Sequence, residues 1–200
     1  MSISRDTFDP AKNYKRVRYH QDRDLLDSEL NEQQDIINNE RRKLADILFK
    51  EGAIVSGFGV TVAANVLTVA EGLVYIDGCL ERVPGAVLTY DPAKTSGADY
   101  VYVELLKYNY GYNQDAVLIN PATGEPTAER EKWVLSLKNH DTSGEALPNN
   151  VTQRKVVAVH KFDRETGDVT ATVREKSNLY LQDLLGTLPG SRITVASITE

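Results

Sequence analysis

The sequence predicts an α+β fold: an N-terminal extended arm and a long α-helix, followed by a mainly antiparallel β-domain of sandwich or small-barrel type. Three observations predict it. Residues 1–21 hold Pro10 and isolated large side chains without sustained periodicity. Residues 22–51 space their apolar side chains as a helix does, and from residue 52 onward short β-branched runs alternate with turn residues.

In the arm, Phe8, Pro10, Tyr14, Val17 and Tyr19 are spaced as anchors for an extended segment, not as one face of a helix. Such an arm is expected to order where a partner supplies pockets, and Phe8, Pro10, Tyr14 and Val17 are its docking candidates. The helix is expected from Asp22 or Asp24 as N-cap, through acidic first turns, to Gly52 as the stop. That gives roughly 28 residues, or ~40 Å at 1.5 Å per residue. Leu30, Ile37 and Leu44 recur every seven residues, while the second heptad line, Leu26, Gln33, Glu40 and Ile47, is half polar. A seam of that kind is too weak for a robust two-stranded zipper. Leu25, Ile36 and Leu48 widen it, which suits a helix packed in a trimer or one lying against its own β-domain. Leu26, Leu30, Ile37, Leu44 and Ile47 are the candidate helix-association residues.

The β-region, residues 52–176, opens with short segments at 54–55, 59–62, 66–69, 73–76, 79–83 and 87–90. Asp77-Gly78 between two of them is the strongest hairpin signal, because a type I′ turn needs positive φ at both central residues. Longer runs follow at 100–106, 133–137, 156–160 and 169–173. Two long loops, 109–131 and 138–154, separate them, and Trp133 reads as core. Residues 177–200 read as a short helix and a polar tail without a stop signal, so the chain reads as the front of a longer fibre or as a short adaptor.

Composition narrows the function. A net charge of −6 over 200 residues opposes non-specific nucleic-acid binding, despite the basic run Lys12, Lys15, Arg16 and Arg18. The lone Cys79 allows no intrachain disulfide, and no window has the length and apolarity of a membrane span. The protein is expected to be made in a reducing cytoplasm. His20, His140 and His160 lack metal-ligand spacing, and neither a nucleophile elbow nor a phosphate loop is present, so neither enzymatic activity nor a metal or other cofactor is expected. Tyr108, Tyr110 and Tyr112 alternate with Asn109, Gly111 and Asn113. They can stack on the sugar rings of a host glycan or cover a sheet edge, and the sequence leaves both readings open.

Phe8-Asp-Pro-Ala-Lys-Asn-Tyr14, then Asp22-Arg with Leu25-Leu26 and Glu29-Leu-Asn-Glu with Gln34, resembles the N-terminal segment of tail-fibre and baseplate proteins of contractile-tailed bacteriophages. Gly72-Leu-Val-Tyr-Ile-Asp-Gly78, Ala98-Asp-Tyr-Val-Tyr-Val103 and Asn120-Pro-Ala-Thr-Gly124 extend the resemblance in the same order. It implies a structural virion protein, often a homotrimer, that attaches a fibre to the baseplate. Its partners would be other phage baseplate or tail-fibre proteins, and no catalytic residues come with it.

Overall fold

The structure, a computed structural model, describes residues 5–141 and 147–172. The chain divides into two compact units, Met1–Phe49 and Lys50–Glu200. The expected α+β fold of long helix plus sandwich or small barrel is not what forms. The chain is mostly β, and the described residues hold one α-helix, no coiled coil and three small antiparallel sheets. The short helix and tail expected at 177–200 lie outside the described residues.

The helix α1, Asp27–Leu48, has 22 residues and falls short of its expected length at both ends. Asp22 sits at φ 60, in the left-handed region, so it turns the chain instead of taking the extended backbone of an N-cap. Leu26 takes that position at φ −91, ψ 141. Its side chain has no acceptor to offer, and Glu29 Oε2 instead accepts from the Leu26 N–H at 3.3 Å. At the other end Phe49 leaves the helix at φ −121, ψ 152. Gly52 therefore belongs to the next unit, where its N–H donates to the Tyr75 carbonyl at 2.8 Å.

Among the described residues, the second unit carries ten strands: β1 Ile54–Gly57, β2 Val60–Ala63, β3 Val66–Val69, β4 Gly72–Ile76, β5 Cys79–Val83, β6 Ala86–Thr89, β7 Ala98–Tyr110, β8 Arg130–Asp141, β9 Arg154–Asp163 and β10 Val169–Ala171. They pair in the orders β1-β4-β5, β2-β3-β6 and β10-β9-β7-β8. The division has a local cause. Gly57 at φ 76 and Phe58 at φ 56 break the chain between β1 and β2, sending them into different sheets. The three sheets share one core, in which Phe58, Leu67, Ile76, Val103, Leu137 and Phe162 pack together. Alternate residues of β7, Val101, Val103 and Leu105, face it. Trp133 is half-buried at its margin, with Lys107 Nζ 4.7 Å from the ring centre.

The β4–β5 hairpin turns as expected, with Asp77 at φ 50 and Gly78 at φ 84. Asp77 does more than turn. Its largely buried carboxylate ion-pairs with Lys107 and lies 3.5 Å from Lys155 Nζ, tying the hairpin tip to β7 and β9. The first long loop is shorter than expected, 111–129, because β7 continues to Tyr110 and β8 starts at Arg130. It is also structured. A 3-10 turn, Ala116–Leu118, is capped by Asp115, whose Oδ1 accepts from the Val117 N–H at 3.0 Å.

On β9, His160 Nε2 donates to the Phe58 carbonyl at 2.9 Å, while Nδ1 is buried and, among the described residues, meets no partner within hydrogen-bond geometry. Burial holds the His160 pKa below its usual value, outweighing the Phe58 carbonyl and the Thr170 backbone, which favour the proton. Between the lowered folded pKa and the ordinary 6.5 the unfolded chain binds more proton, so His160's contribution to stability is complete above that value and is lost as pH falls through the folded pKa. The melting temperature should therefore drop as pH falls below about 6.5, with His160→Asn flattening that slope. An unchanged slope in the variant would place the effect elsewhere.

Candidate assembly surface

The arm lies along its own helix. Thr7 Oγ1 donates to Glu32 Oε2 at 2.8 Å, Lys15 Nζ contacts Glu40 Oε1 at 2.9 Å, and the Tyr19 hydroxyl donates to Gln33 Oε1 at 2.8 Å. These contacts take the arm up the helix from the level of Glu32 to Glu40 and back to Gln33, where the chain turns into α1. A short 3-10 turn, Pro10–Lys12, shapes the outward leg, with Asp9 capping its start and Asn13 leaving it in the left-handed region at φ 54. Lys43 and then Lys15 hold the Glu40 carboxyl below the usual carboxylate range. Of the expected arm-docking residues, Phe8 and Val17 are half-buried and Pro10 and Tyr14 are exposed.

The arm covers only part of the helix. Ile36 is 2% exposed, whereas Leu30, Ile37, Leu44 and Leu48 are 44%, 45%, 68% and 54% exposed. At 3.6 residues per turn those four stay within about 40° of one another, so they form one stripe along α1. Leu26, at the N-cap, extends it and is 54% exposed. Ile47, grouped with the stripe on heptad spacing, instead lies about 80° around the helix from Ile37, on the Ile36 line. It too is exposed. Leu48, read in the sequence only as widening the seam, takes the place on the stripe that heptad counting gave to Ile47. A 3.6-residue wheel separates the two.

The tyrosines are divided. Tyr108 and Tyr110 alternate on one face of β7, opposite Lys132 and Arg130 of β8, while Tyr112 lies in the following loop. Lys132 Nζ stands 4.6 Å from the Tyr110 ring centre, so one face of that ring is already occupied. The ion pairs that most constrain the second unit escaped sequence reading. Asp99 and Arg164 are 65 positions apart, and Asp77 signalled only a turn. No helix of the described residues is long and apolar enough to cross a membrane.

Residues 2–163 match the family described as "Domain of unknown function (DUF4815)". The match takes in the arm, the helix and every strand through β9. Comparison with curated proteins finds no match. Among solved structures, the chain is similar to one from the type VI secretion system TssK-TssF-TssG baseplate subcomplex, with 12% identity and a TM-score of 0.40, covering 80% of this chain and 60% of that one. A chain of the type VI secretion baseplate complex aligns with 12% identity and a TM-score of 0.38, over 86% of this chain and 65% of that one. A crystal structure of TssK aligns with 10% identity and a TM-score of 0.37, over 86% and 46%. This chain therefore spans less than two thirds of the length of each, and overlap at this level decides neither its fold nor its role.

Proposed function

The chain belongs to the DUF4815 family, and within it we propose that this protein is a structural, non-catalytic part of a phage tail or baseplate, attaching a tail fibre to the baseplate through its arm-and-helix unit. One observation carries the reading: a stripe of large apolar side chains left exposed along α1, on a unit whose other helix face its own arm already covers. Leaving such a stripe in water forgoes the burial that stabilises an ordinary amphipathic helix. Contact with a neighbouring protein recovers it. The order of the arm, helix and strand phrases that resemble phage tail-fibre and baseplate proteins supports the same class, and other baseplate or fibre proteins are the partners that fit it. Function here is the contact itself, in the virion.

The glycan-binding alternative draws less support, since Lys132 occupies one face of Tyr110 and Tyr112 leaves the strand that carries the other two. Ile37→Asp tests the first reading. Because Ile37 is exposed, the isolated protein should lose no more than about 0.5 kcal/mol of stability. Incorporation of the variant into tail particles should fall tenfold or more. Normal incorporation of a folded Ile37→Asp protein would reject the assembly role of the helix.

A further inference from the structure

We infer that the stripe on α1 is occupied by a second copy of this chain, paired antiparallel about a two-fold axis through Ile37; this rests on the assembly reading above and names its partner. Leu30 and Leu44 lie seven residues to either side of Ile37, and Leu26 and Leu48 eleven residues to either side. All five are exposed. Such a stripe is the same read in either direction, which is the self-complementarity an isologous two-fold contact requires. Laid antiparallel on its copy, it sets Ile37 on Ile37, Leu30 on Leu44 and Leu26 on Leu48.

Charge selects the same orientation. Residues 27–37 carry Asp27, Glu29, Glu32 and Asp35 and no base, whereas residues 38–48 carry Arg41, Arg42 and Lys43 against Glu40 and Asp46. A parallel pair or a parallel trimer would stack the acidic halves on one another. The antiparallel pair sets each acidic half beside a basic one and opposes the helix dipoles. It also brings Arg41 beside Gln34 of the second copy on one flank, while on the other Glu40 and Gln33 are already held by Lys15 and Tyr19 of the arm, so no like charges meet along the flanks. Five side chains bury a surface at the low end of those that hold stable dimers, so association should depend on concentration.

Cysteine cross-linking of the full chain, with Cys79→Ser to remove the native thiol, tests the geometry. Ile37→Cys should form a disulfide-linked dimer on oxidation. Leu30→Cys should link little to itself but readily to Leu44→Cys when the two proteins are mixed. Light scattering should show a dimer, and Ile37→Asp should weaken it about 100-fold by placing two carboxylates against each other in an apolar contact. Efficient self-linking of Leu30→Cys would mean parallel association and overturn the proposal, as would a protein monomeric at millimolar concentration. If Ile37→Asp still blocked incorporation into particles in either case, the assembly reading would stand and only the identity of the partner would fall.

Discussion

Asp99→Ala should destabilise the protein by about 3–5 kcal/mol, because it leaves a buried guanidinium without its carboxylate. Asp99 is the second residue of β7 and Arg164 follows β9, and their side chains are 0% and 2% exposed. The pair is bidentate: Arg164 Nη2 donates to Asp99 Oδ1 at 2.6 Å and Nε to Oδ2 at 3.2 Å. The Arg164 N–H also donates to the Gly97 carbonyl at 3.0 Å, so the turn after β9 is fastened to the start of β7 by backbone and side chain together. A loss of this size is a large fraction of the stability of an ordinary domain. The mechanism, and not merely the position, is tested by the double variant Asp99→Ala/Arg164→Met, which removes both charges. It should recover much of the loss in urea denaturation, since a buried pair replaced by apolar groups costs less than one orphaned partner. Additive losses in the double variant would show that the pair contributes through packing alone.

That pair marks where sequence reading stops. Short-range features were legible because their causes are local. Asp77-Gly78 dictates a hairpin through its own φ preferences, and β-branched runs such as Val66-Leu-Thr-Val69 specify strands by themselves. The seven-residue recurrence of Leu30, Ile37 and Leu44 was equally visible, because it is written along a single element, whereas its exposure was not, and heptad spacing put Ile47 on the stripe in place of Leu48. What the sequence could not show was which strands share a sheet. Gly57 and Phe58 both adopt positive φ, and a phenylalanine there carries no local signal, so the break separating β1 from β2 is set by the core that holds the ring. Expecting one sandwich or small barrel, where three sheets form, follows from that omission. The helix stops short of its expected length for a similar reason. Asp22 has the side chain of a cap, but its backbone is committed to a turn that returns the arm to Gln33. A second acidic signal was ambiguous in the opposite way: Asp99 lies in an apolar strand-like run, and only its partner 65 residues away explains it.

Gly72→Ala should be among the most damaging changes of a single methyl group in the β-unit. Gly72 opens β4, and a Cβ built on it would stand 2.3 Å from Cδ2 of the Phe58 ring and 2.6 Å from two further ring carbons. One or both must move. Phe58 has little freedom to do so: it is 1% exposed within the shared core, its N–H donates to the Glu71 carbonyl at 3.1 Å, and its carbonyl accepts from His160 at 2.9 Å. Its φ of 56 already places a bulky residue in the left-handed region, so backbone adjustment starts from a strained position. Overpacking of this kind costs about 1–3 kcal/mol where neighbours can yield and more where they cannot. The clash should also disturb the His160 contact, and without the Phe58 carbonyl, which favours the proton, the folded pKa falls further and the loss of stability on acidification extends to lower pH than in the parent protein. Phe58→Leu, which removes ring atoms facing Gly72, should destabilise the parent by opening a cavity yet relieve part of the Gly72→Ala defect when the two are combined. Denaturation midpoints of the four proteins measure that coupling. If Gly72→Ala were tolerated without loss, the Phe58 ring would have to be free to shift, and the close packing that separates β1 from β2 would not be what directs them into different sheets.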